Sequence, residues 1–392
     1  MMIKQVTALS VASLILQGAV LADGFRLAGQ SPEAVGKGNA FVATANTAAA
    51  VYYNAAGLSQ IDESSVQVGF YAISVDVEAR VDGGDFDVDD EVQVVPQIYS
   101  AFRLNEKVVL GLGINTPFGL SSDWGDDTSF RTTATRSELE YLTVSAVASY
   151  QVNEHLSIGG GVAFNHADID LRRGIGFLPN DELSFEGDDQ AISWTVSVLW
   201  QPSEKHSFGA VYRSETDFTL EGTVEAFPFS PRNNGQVDFS TPATFAVGYS
   251  YRPNKKWNIE VNVEWTNWDD FGTLTLEQDG GVDDLDIPFE WEDSFIYSIG
   301  AEYDMGNGYL VRFGYNFIES AQPDEFYNPA VADADRHWLT AGLGYKGESW
   351  SWDAAYQFAF SDRTVDSALD PSVNGRYKTR AHSLSLTVRH DF

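Results

Sequence analysis

The chain has 392 residues, with 57 acidic against 24 basic side chains, no cysteine and a formal net charge of −33. This charge excludes nucleic acid as a partner, because it repels a phosphate backbone. The lack of cysteine excludes disulfides, thiolate-bound metals and thiol catalysis. Past residue 22, no apolar run reaches the roughly 20 residues that a membrane helix needs. What remains is a large soluble protein or a β-barrel, whose lipid-facing residues alternate with polar ones.

Residues 1–22 have the order of a secretory signal peptide. A basic residue, Lys4, precedes an apolar stretch with a small-residue ending, and we predict cleavage between Ala22 and Asp23. A buried helix is the alternative. An exported chain that is this acidic and aromatic fits a bacterial cell envelope.

The next segment, residues 23–61, has no regular alternation and is rich in Ala, Gly and Ser. Its composition leaves three interpretations open: a disordered leader, a periplasmic extension, or a plug folded inside a barrel.

From residue 65 onward, apolar and polar residues alternate with period two, which predicts β-strands with one apolar face. The first strand is predicted at 65–80, and clear later ones at 192–200, 257–265, 350–361 and 383–392. A soluble β-sandwich alternates in the same way. Tryptophan and tyrosine at strand ends, and an aromatic C-terminal residue, Phe392, favour a membrane barrel instead.

The turns give the number of strands. Six short polar turns each follow an aromatic residue, at 103–107, 151–155, 201–206, 252–256, 304–308 and 346–349. The long connections are irregular and often acidic, at 82–91, 121–135, 173–190, 227–237, 279–290, 319–336 and 362–378. Six tight turns separate seven strand pairs. We therefore predict an all-β fold, a 14-stranded antiparallel transmembrane barrel with its long loops outside the cell.

One strand is irregular. Pro117 lies in the strand that begins at Val108 and cannot donate a ladder hydrogen bond, so pairing must break or bulge there. Gly111, Gly113 and Gly119 lower the cost of an irregular backbone. The alternative is that Pro117 simply ends the strand.

Two predicted extracellular loops contain apolar residues: Ile175, Phe177 and Leu178 in one, and Phe227 and Phe229 in the other. Exposed apolar patches usually mark binding or packing surfaces. These residues are therefore expected either to capture a ligand or to pack loop against loop.

The titratable residues do not indicate catalysis. His166, Asp168 and Asp170 share one strand face, but the outer two lie about 13 Å apart on a strand, too far for one metal ion without a bend. The sequence has no nucleophile elbow and no phosphate-cradling loop. We predict no catalytic residue, no metal site and no cofactor.

Several short sequence motifs resemble those of the FadL family, the outer-membrane transporters of long-chain fatty acids and other hydrophobic compounds. They are GFRL at 24–27, GKG at 36–38, YNAAGL at 53–58, GLGINTPFGL at 111–120, YSYRP at 249–253, WTNWDDF at 265–271 and ADADRHW at 332–338. These motifs occur in the same order as in the family and span almost the whole chain after residue 22, so the resemblance is specific.

The resemblance implies a monomeric 14-stranded barrel with residues 23–61 as a small helical hatch in the lumen. It implies that a ligand is caught among the extracellular loops, passes to a pocket above the hatch and leaves sideways where the third strand kinks. The site residues that follow are Gly24, Phe25, Asn54, Ala55, Ala56 and Gly57 in the hatch, and Gly111, Gly113, Asn115, Pro117 and Gly119 at the lateral opening.

This chain departs from the family pattern in three places. The family's Asn-Pro-Ala is Asn54-Ala55-Ala56 here, which removes the local rigidity of proline. The loop at 173–190 is shorter than the helical loop that fatty acid carriers often have. No basic residue aligns with the one that binds the carboxylate in those carriers.

We therefore predict a signal peptide at 1–22, a hatch at 23–61 and a barrel at 62–392. The predicted function is passive uptake of hydrophobic small molecules, fatty acids or hydrocarbons, across the outer membrane of a Gram-negative bacterium. A general porin is the alternative, followed by a barrel hydrolase. The expected partners are the hydrophobic ligand, outer-membrane lipid and lipopolysaccharide, and the barrel-assembly machinery through Phe392.

Two expectations concern geometry. Phe392 and the strand before it should close the barrel against the first strand near Val66, Val68 and Phe70. The wall gap should lie near 113–117, between this strand and the neighbour that begins near Glu138, and it should face hatch residues around Asn54.

Overall fold

The computed structural model describes residues 23–27, 29–88, 92–279 and 283–392, and the predicted signal peptide lies outside these residues. One antiparallel sheet closes on itself as a barrel of 14 strands, which confirms the number predicted from the turns.

Nine of the strands are continuous, and five are interrupted once. The continuous strands are β1 (Ser65–Val81), β2 (Val92–Arg103), β4 (Arg136–Asn153), β5 (Leu156–Arg173), β6 (Glu182–Ser203), β11 (Tyr309–Ile318), β12 (Arg336–Lys346), β13 (Trp350–Val365) and β14 (Gly375–Asp391). The interrupted strands are β3 (Val108–Asn115 and Leu120–Asp123), β7 (His206–Arg213 and Thr216–Phe227), β8 (Ser230–Thr241 and Thr244–Asn254), β9 (Trp257–Thr266 and Thr273–Gln278) and β10 (Leu285–Pro288 and Ser294–Gly306).

The remaining elements are short. A fragment at Gly84–Asp87 folds back on the end of β1. The helical turns are α1 (Pro32–Val35), α2 (Ala50–Tyr53) and the 3₁₀ helices Ala55–Gln60, Trp268–Asp270, Pro329–Val331 and Pro371–Val373. No helix in the described part of the chain is long and apolar enough to cross a membrane.

The last strand closes the barrel as predicted. Along the β1–β14 ladder, Val66 lies opposite His390, Val68 opposite Val388, and Phe70 opposite Leu386. The ladder runs the full length of β1, so the seam leaves no unpaired edge along that strand.

Side chains alternate across the wall, with apolar residues outside and polar or small residues inside. Val162 and Leu339 point outward and are 57% and 52% exposed, whereas Gln67, Ser250 and Gln357 point inward and are fully buried. A soluble sandwich would have the opposite arrangement. The outer surface therefore matches lipid, and the lumen accommodates polar contacts.

The six short turns fall where predicted, but several predicted long loops are wrong in extent. β6 begins at Glu182, β8 at Ser230 and β10 at Leu285, inside the regions predicted as loops. The connection predicted at 227–237 is a tight hairpin with only Pro228 and Phe229 between its strands. In these upper stretches the outward positions are polar or charged instead of apolar, so the sequence loses its apolar alternation there.

The C-terminal residue provides a test of the closing seam. The Phe392 backbone N–H donates to the Ser64 carbonyl at 2.8 Å, and the residue is 60% exposed. We expect that deleting Phe392 will lower the amount of heat-modifiable barrel in the outer membrane several-fold, whereas Phe392→Trp will keep it near the wild-type amount. A truncated protein that assembles at wild-type levels would show that this residue is dispensable.

Candidate functional site

The N-terminal segment, residues 23–61, lies against the inner wall of the barrel, and most of its described residues are buried. At three positions its backbone packs directly against glycines of the wall. Gly300 of β10 and Gly314 of β11 face the backbone of Lys37 and Gly38, and Gly159 of β5 faces that of Ala55 and Ala56. A β-carbon at any of these three wall positions would overlap main-chain atoms of the segment.

Two buried cations attach the segment to strand β9. Arg26 forms ion pairs with Asp23, at 3.3 Å, and with Glu264. Lys37 Nζ lies 3.8 Å from Glu260 Oε2, and the other oxygen of this carboxylate, Oε1, accepts the Ala43 backbone N–H at 2.7 Å. Buried charges are tolerated when they are paired in this way, and removing one partner is costly.

Phe25 occupies a box of aromatic rings. Its ring centroid lies between 4.8 and 6.0 Å from five others, those of Phe118, Phe239, Trp268, Phe271 and Trp291. Beside the box, Asp23 accepts hydrogen bonds from Trp268 Nε1 and Thr266 Oγ1, both at 2.6 Å. Gly24 has a φ of +67°, and a side chain there would collide with the two tryptophans. The sequence predicted Gly24 and Phe25 as hatch residues but did not indicate this aromatic box.

Strand β3 breaks at residues 116–119, and the N-terminal segment takes the place of a neighbouring strand there. The Leu27 N–H donates to the Pro117 carbonyl at 2.8 Å, and the Gly119 N–H donates to the Phe25 carbonyl at 2.9 Å. The Gln30 side chain adds a hydrogen bond from Nε2 to the Thr116 carbonyl at 2.8 Å. The backbone groups freed by the break are therefore satisfied from inside the lumen.

The break opens the ladder between β2 and β3. Their pairing extends only from Arg103–Val109 to Ile98–Ile114. Above this point, residues 92–95 pair with β1, and Leu120–Asp123 pairs with β4; no pairing joins the two stretches among the described residues. The prediction that the gap separates β3 from the strand near Glu138 is wrong, because Ser121 is paired directly with Glu138 and the gap lies toward β2 instead.

The other predicted lateral residues have different neighbours. Val51 of the N-terminal segment fills the space that Gly111 and Gly113 leave on the inner wall. Asn115 donates from Nδ2 to Gln30 Oε1 at 2.9 Å. Asn54, expected to face the gap, instead donates to the carbonyls of Val42, at 2.8 Å, and Val198, at 3.1 Å.

A lumenal cavity reaches the break. It encloses about 670 Å³ of empty volume, open solvent included. Its lining includes Pro117, Phe118, Tyr52, Tyr141, Thr143 and Arg213. The Arg213 guanidinium lies over the Tyr52 ring at 4.5 Å and donates to the Tyr52 carbonyl. The guanidinium is therefore bound at the C-terminal end of α2.

The predicted capture residues lie at the outer tips of the strands. Phe177 is 79% exposed, and its ring centroid is 5.8 Å from that of Phe229. Leu178 and Phe227 are exposed nearby, and the Ile175 N–H donates to Asp181 at 3.0 Å.

The Asp181 carboxylate organises this loop. Burial alone would raise the pKa of Asp181, but backbone N–H groups from 175–178 and the Arg131 guanidinium donate to the carboxylate and hold its pKa well below the usual range. The loop therefore keeps this anchor at neutral and mildly acidic pH.

A second cavity, the outer apolar pocket, lies between the strand tops and the extracellular loops, and sequence reasoning missed it. Its apolar lining consists of Leu171, Leu183, Phe185, Val237, Leu274, Leu276, Leu285, Ile287, Phe289 and Ala330. Most of these residues come from regions predicted as acidic loops. The signal that could have found them is the apolar–polar alternation in Leu183-Ser184-Phe185 and in Leu285-Asp286-Ile287.

The model of one protein family, described as "Outer membrane protein transport protein (OMPP1/FadL/TodX)", matches residues 13–392. The chain belongs to this family. It is 24% identical to the 47 kDa outer membrane protein of Pasteurella multocida, over 87% of each chain. It is 20% identical to the long-chain fatty acid transport protein of Escherichia coli O6:H1, over 86% of this chain and 87% of that one.

Solved structures share the fold. A FadL homologue from Pseudomonas aeruginosa superimposes with a TM-score of 0.85 at 18% identity, covering 94% of this chain and all (100%) of the other. The Pseudomonas putida toluene transporter TodX gives a TM-score of 0.75 at 16% identity, covering 97% and 100%. Membership of the OMPP1/FadL/TodX family confirms the predicted location in the outer membrane of a Gram-negative bacterium.

Asn54-Ala55-Ala56 stands where the family has an Asn-Pro-Ala motif. Asn54 Oδ1 accepts the Ala56 N–H at 3.1 Å and so caps the 3₁₀ helix Ala55–Gln60. Gly57 then passes directly against the Ala45 carbonyl, where a β-carbon would not fit. The Asn54 side chain therefore fixes the start of this helix, although position 55 is an alanine.

The glycine-lined wall gives a test of how the segment is seated. We expect Gly314→Val to prevent the segment from docking, because its side chain would occupy the position of the Gly38 backbone, and so to raise ion conductance through an assembled barrel. Gly272→Ala is the matched control, because a β-carbon there would meet only Glu290 Oε1, at 3.8 Å. Single-channel recording in planar bilayers is the measurement. Conductance equal to wild type in the Val variant would mean that the segment does not obstruct the lumen.

Proposed function

We propose that this protein is a passive transporter that takes up hydrophobic small molecules across the outer membrane. The observation that carries the proposal is the break in β3. There the wall is unpaired toward β2, and the N-terminal segment holds the broken strand from inside. A lumenal cavity ends at the same place. These features together provide a lateral route into the bilayer that a displaceable segment closes.

In this proposal, ligand is captured at the exposed apolar tips, Phe177 and Phe229 among them, and then reaches the outer apolar pocket. Residues 23–61 act as the hatch and residues 62–392 as the barrel, after removal of a signal peptide at 1–22. Displacement of Phe25 from its aromatic box would release two backbone hydrogen bonds from the β3 break and open the gap.

A lateral exit is favoured by the polarity of the lumen on the periplasmic side. The cavity there is lined by ionic groups that include Glu33, Lys37, Glu302, Arg312 and Asp353. Returning buried apolar surface to water costs about 0.8 kcal/mol per CH₂ group, or roughly 8 kcal/mol for a ten-carbon chain. Passage sideways into lipid avoids this cost.

The proposal describes a transporter and not an enzyme. The related proteins include a long-chain fatty acid transport protein and a toluene transporter. A general porin would need an open aqueous lumen, whereas the N-terminal segment here buries most of its described residues against the wall. We further propose that the barrel acts as a monomer and that assembly machinery recognises its C-terminal strand.

A cross-link tests the lateral route. The chain has no native cysteine, so Val94→Cys with Ser121→Cys, joined by a flexible bis-maleimide, would bridge β2 and β3 across the gap. We expect the cross-link to reduce uptake of radiolabelled decanoate and toluene to background while leaving barrel assembly intact. The physical reason is that β2 and β3 can no longer separate.

The matched control bridges an intact ladder. Val94 lies opposite Ala72 on β1, so Val94→Cys with Ala72→Cys places the same linker where no gap exists, and uptake should be unchanged. Normal uptake through the gap-bridged protein would overturn the lateral route and favour release past the hatch into the periplasm.

A further inference from the structure

The barrel wall has a second interruption, between β6 and β7. The ladder that joins these strands stops at Arg213 of β7 and resumes at Glu221. Between these points lie residues 189–194 of β6 and 214–220 of β7, and no ladder pairing joins the two stretches in the part of the chain that the structure describes. On their other edges, β6 stays paired with β5 and β7 with β8. This interruption, the β6–β7 gap, is therefore a seam between two intact parts of the sheet.

Hydrogen bonds cross the gap near its two ends. At the lower end, the Ser214 N–H donates to the Trp194 carbonyl at 2.9 Å, and the Ser214 hydroxyl accepts the Trp194 N–H at 3.0 Å. At the upper end, the Thr219 N–H donates to the Asp189 carboxylate at 2.8 Å. Two of these three bonds use a side chain, so the edges are held together without a regular backbone ladder.

A buried amide closes the middle of the gap from the lumen. Asn165 of β5 donates from Nδ2 to Ser193 Oγ on β6, at 2.8 Å, and to Thr216 Oγ1 on β7, at 3.5 Å. Thr143 Oγ1 donates to Asn165 Oδ1 at 2.8 Å and so orients the amide. Because side chains make this bridge, the two strands can part here without breaking a ladder.

The lumenal cavity that reaches the β3 break also reaches the β6–β7 gap. Its lining includes Ser193 and Trp194 on one edge of the gap, Ser214 and Thr216 on the other, and Pro117 at the β3 break. One cavity therefore touches the wall at two interruptions. The backbone of the N-terminal segment closes the first, whereas side chains of the barrel itself close the second.

The gap lies at the upper edge of the apolar outer surface. On β6, Ile192 and Trp194 are 73% and 48% exposed, whereas the next outward position above them that borders the gap, Asp188, is acidic. Backbone groups can stay unpaired at this boundary, where water reaches them, but not in the lipid core. The β7 edge presents the exposed carboxylates of Glu215 and Asp217. These repel an anionic headgroup but not an uncharged hydrocarbon.

We propose that the β6–β7 gap is a second lateral passage, through which uncharged hydrocarbons dissolved in the outer leaflet enter the lumenal cavity. This assignment rests on the proposed transport function and adds an entry route that avoids the extracellular loops. A hydrocarbon concentrates in lipid, because its apolar surface is removed from water there. An entrance in the wall therefore meets more of this ligand than the loops do.

A cross-link across the gap tests the passage. The chain has no native cysteine, so Ile192→Cys with Asp217→Cys, joined by a flexible bis-maleimide, would fasten the two exposed edges together. Uptake of radiolabelled decane and of decanoate is measured in the same cells, with and without the cross-linker. We expect the cross-link to reduce decane uptake about tenfold, because most decane is held in lipid and not in water. Decanoate uptake, which begins at the loops, should be unchanged.

The matched control joins the same two strands where their ladder is intact. Val198 of β6 lies opposite Ala210 of β7, so Val198→Cys with Ala210→Cys places the same linker below the gap, and uptake of both ligands should be unchanged. Decane uptake at the control level in the gap-bridged protein would overturn the proposal. An equal loss of both ligands would also overturn it, because the linker would then obstruct the cavity that both ligands share.

Failure of the broader transport proposal gives a different result. A protein that takes up decanoate but not decane before cross-linking would reject the second passage and keep the transport function. A protein that takes up neither ligand before cross-linking would reject both.

Discussion

The structure depends on one constraint: a strand that crosses lipid cannot leave backbone N–H and C=O groups unpaired. Strand β3 breaks at residues 116–119 and loses its ladder with β2, yet Pro117 and Gly119 remain hydrogen-bonded because Phe25 and Leu27 supply the missing partners from inside the lumen. The wall and the N-terminal segment are therefore a single hydrogen-bonded unit at this point. A segment that moves must break the same bonds that hold the wall, which couples the two physically.

The remaining contacts of the N-terminal segment follow from packing in a confined lumen. Backbone meets backbone at Gly300 and Gly314, because only a glycine wall allows so close an approach. Arg26 and Lys37 are buried, and each has a carboxylate partner on β9. Such pairs contribute modestly to net stability, but they fix where the segment sits, because each charge is costly without its partner.

Charge is distributed differently in the cavity at the β3 break and in the outer apolar pocket. At the β3 break, Arg213 is engaged by the end of α2. In the outer apolar pocket, Arg172 is neutralised by Asp170, whereas Arg173 has no carboxylate partner among the described residues. In a chain of net charge −33, a cation without a partner beside apolar side chains is a local reversal of the general field.

The sequence by itself determined the strand count, the closure of β14 on β1, the orientation of the wall and the irregularity at Pro117, because period-two alternation, turn spacing and the missing proline N–H are local properties. It did not determine where the strands end above the lipid, since outward residues such as Glu186 are acidic there and hide the alternation. Only the tertiary structure decided that the gap faces β2, that Phe25 fills an aromatic box and that Arg173 borders an apolar pocket. Each of these depends on residues far apart in the chain, brought together by barrel closure, and no local pattern specifies such partners.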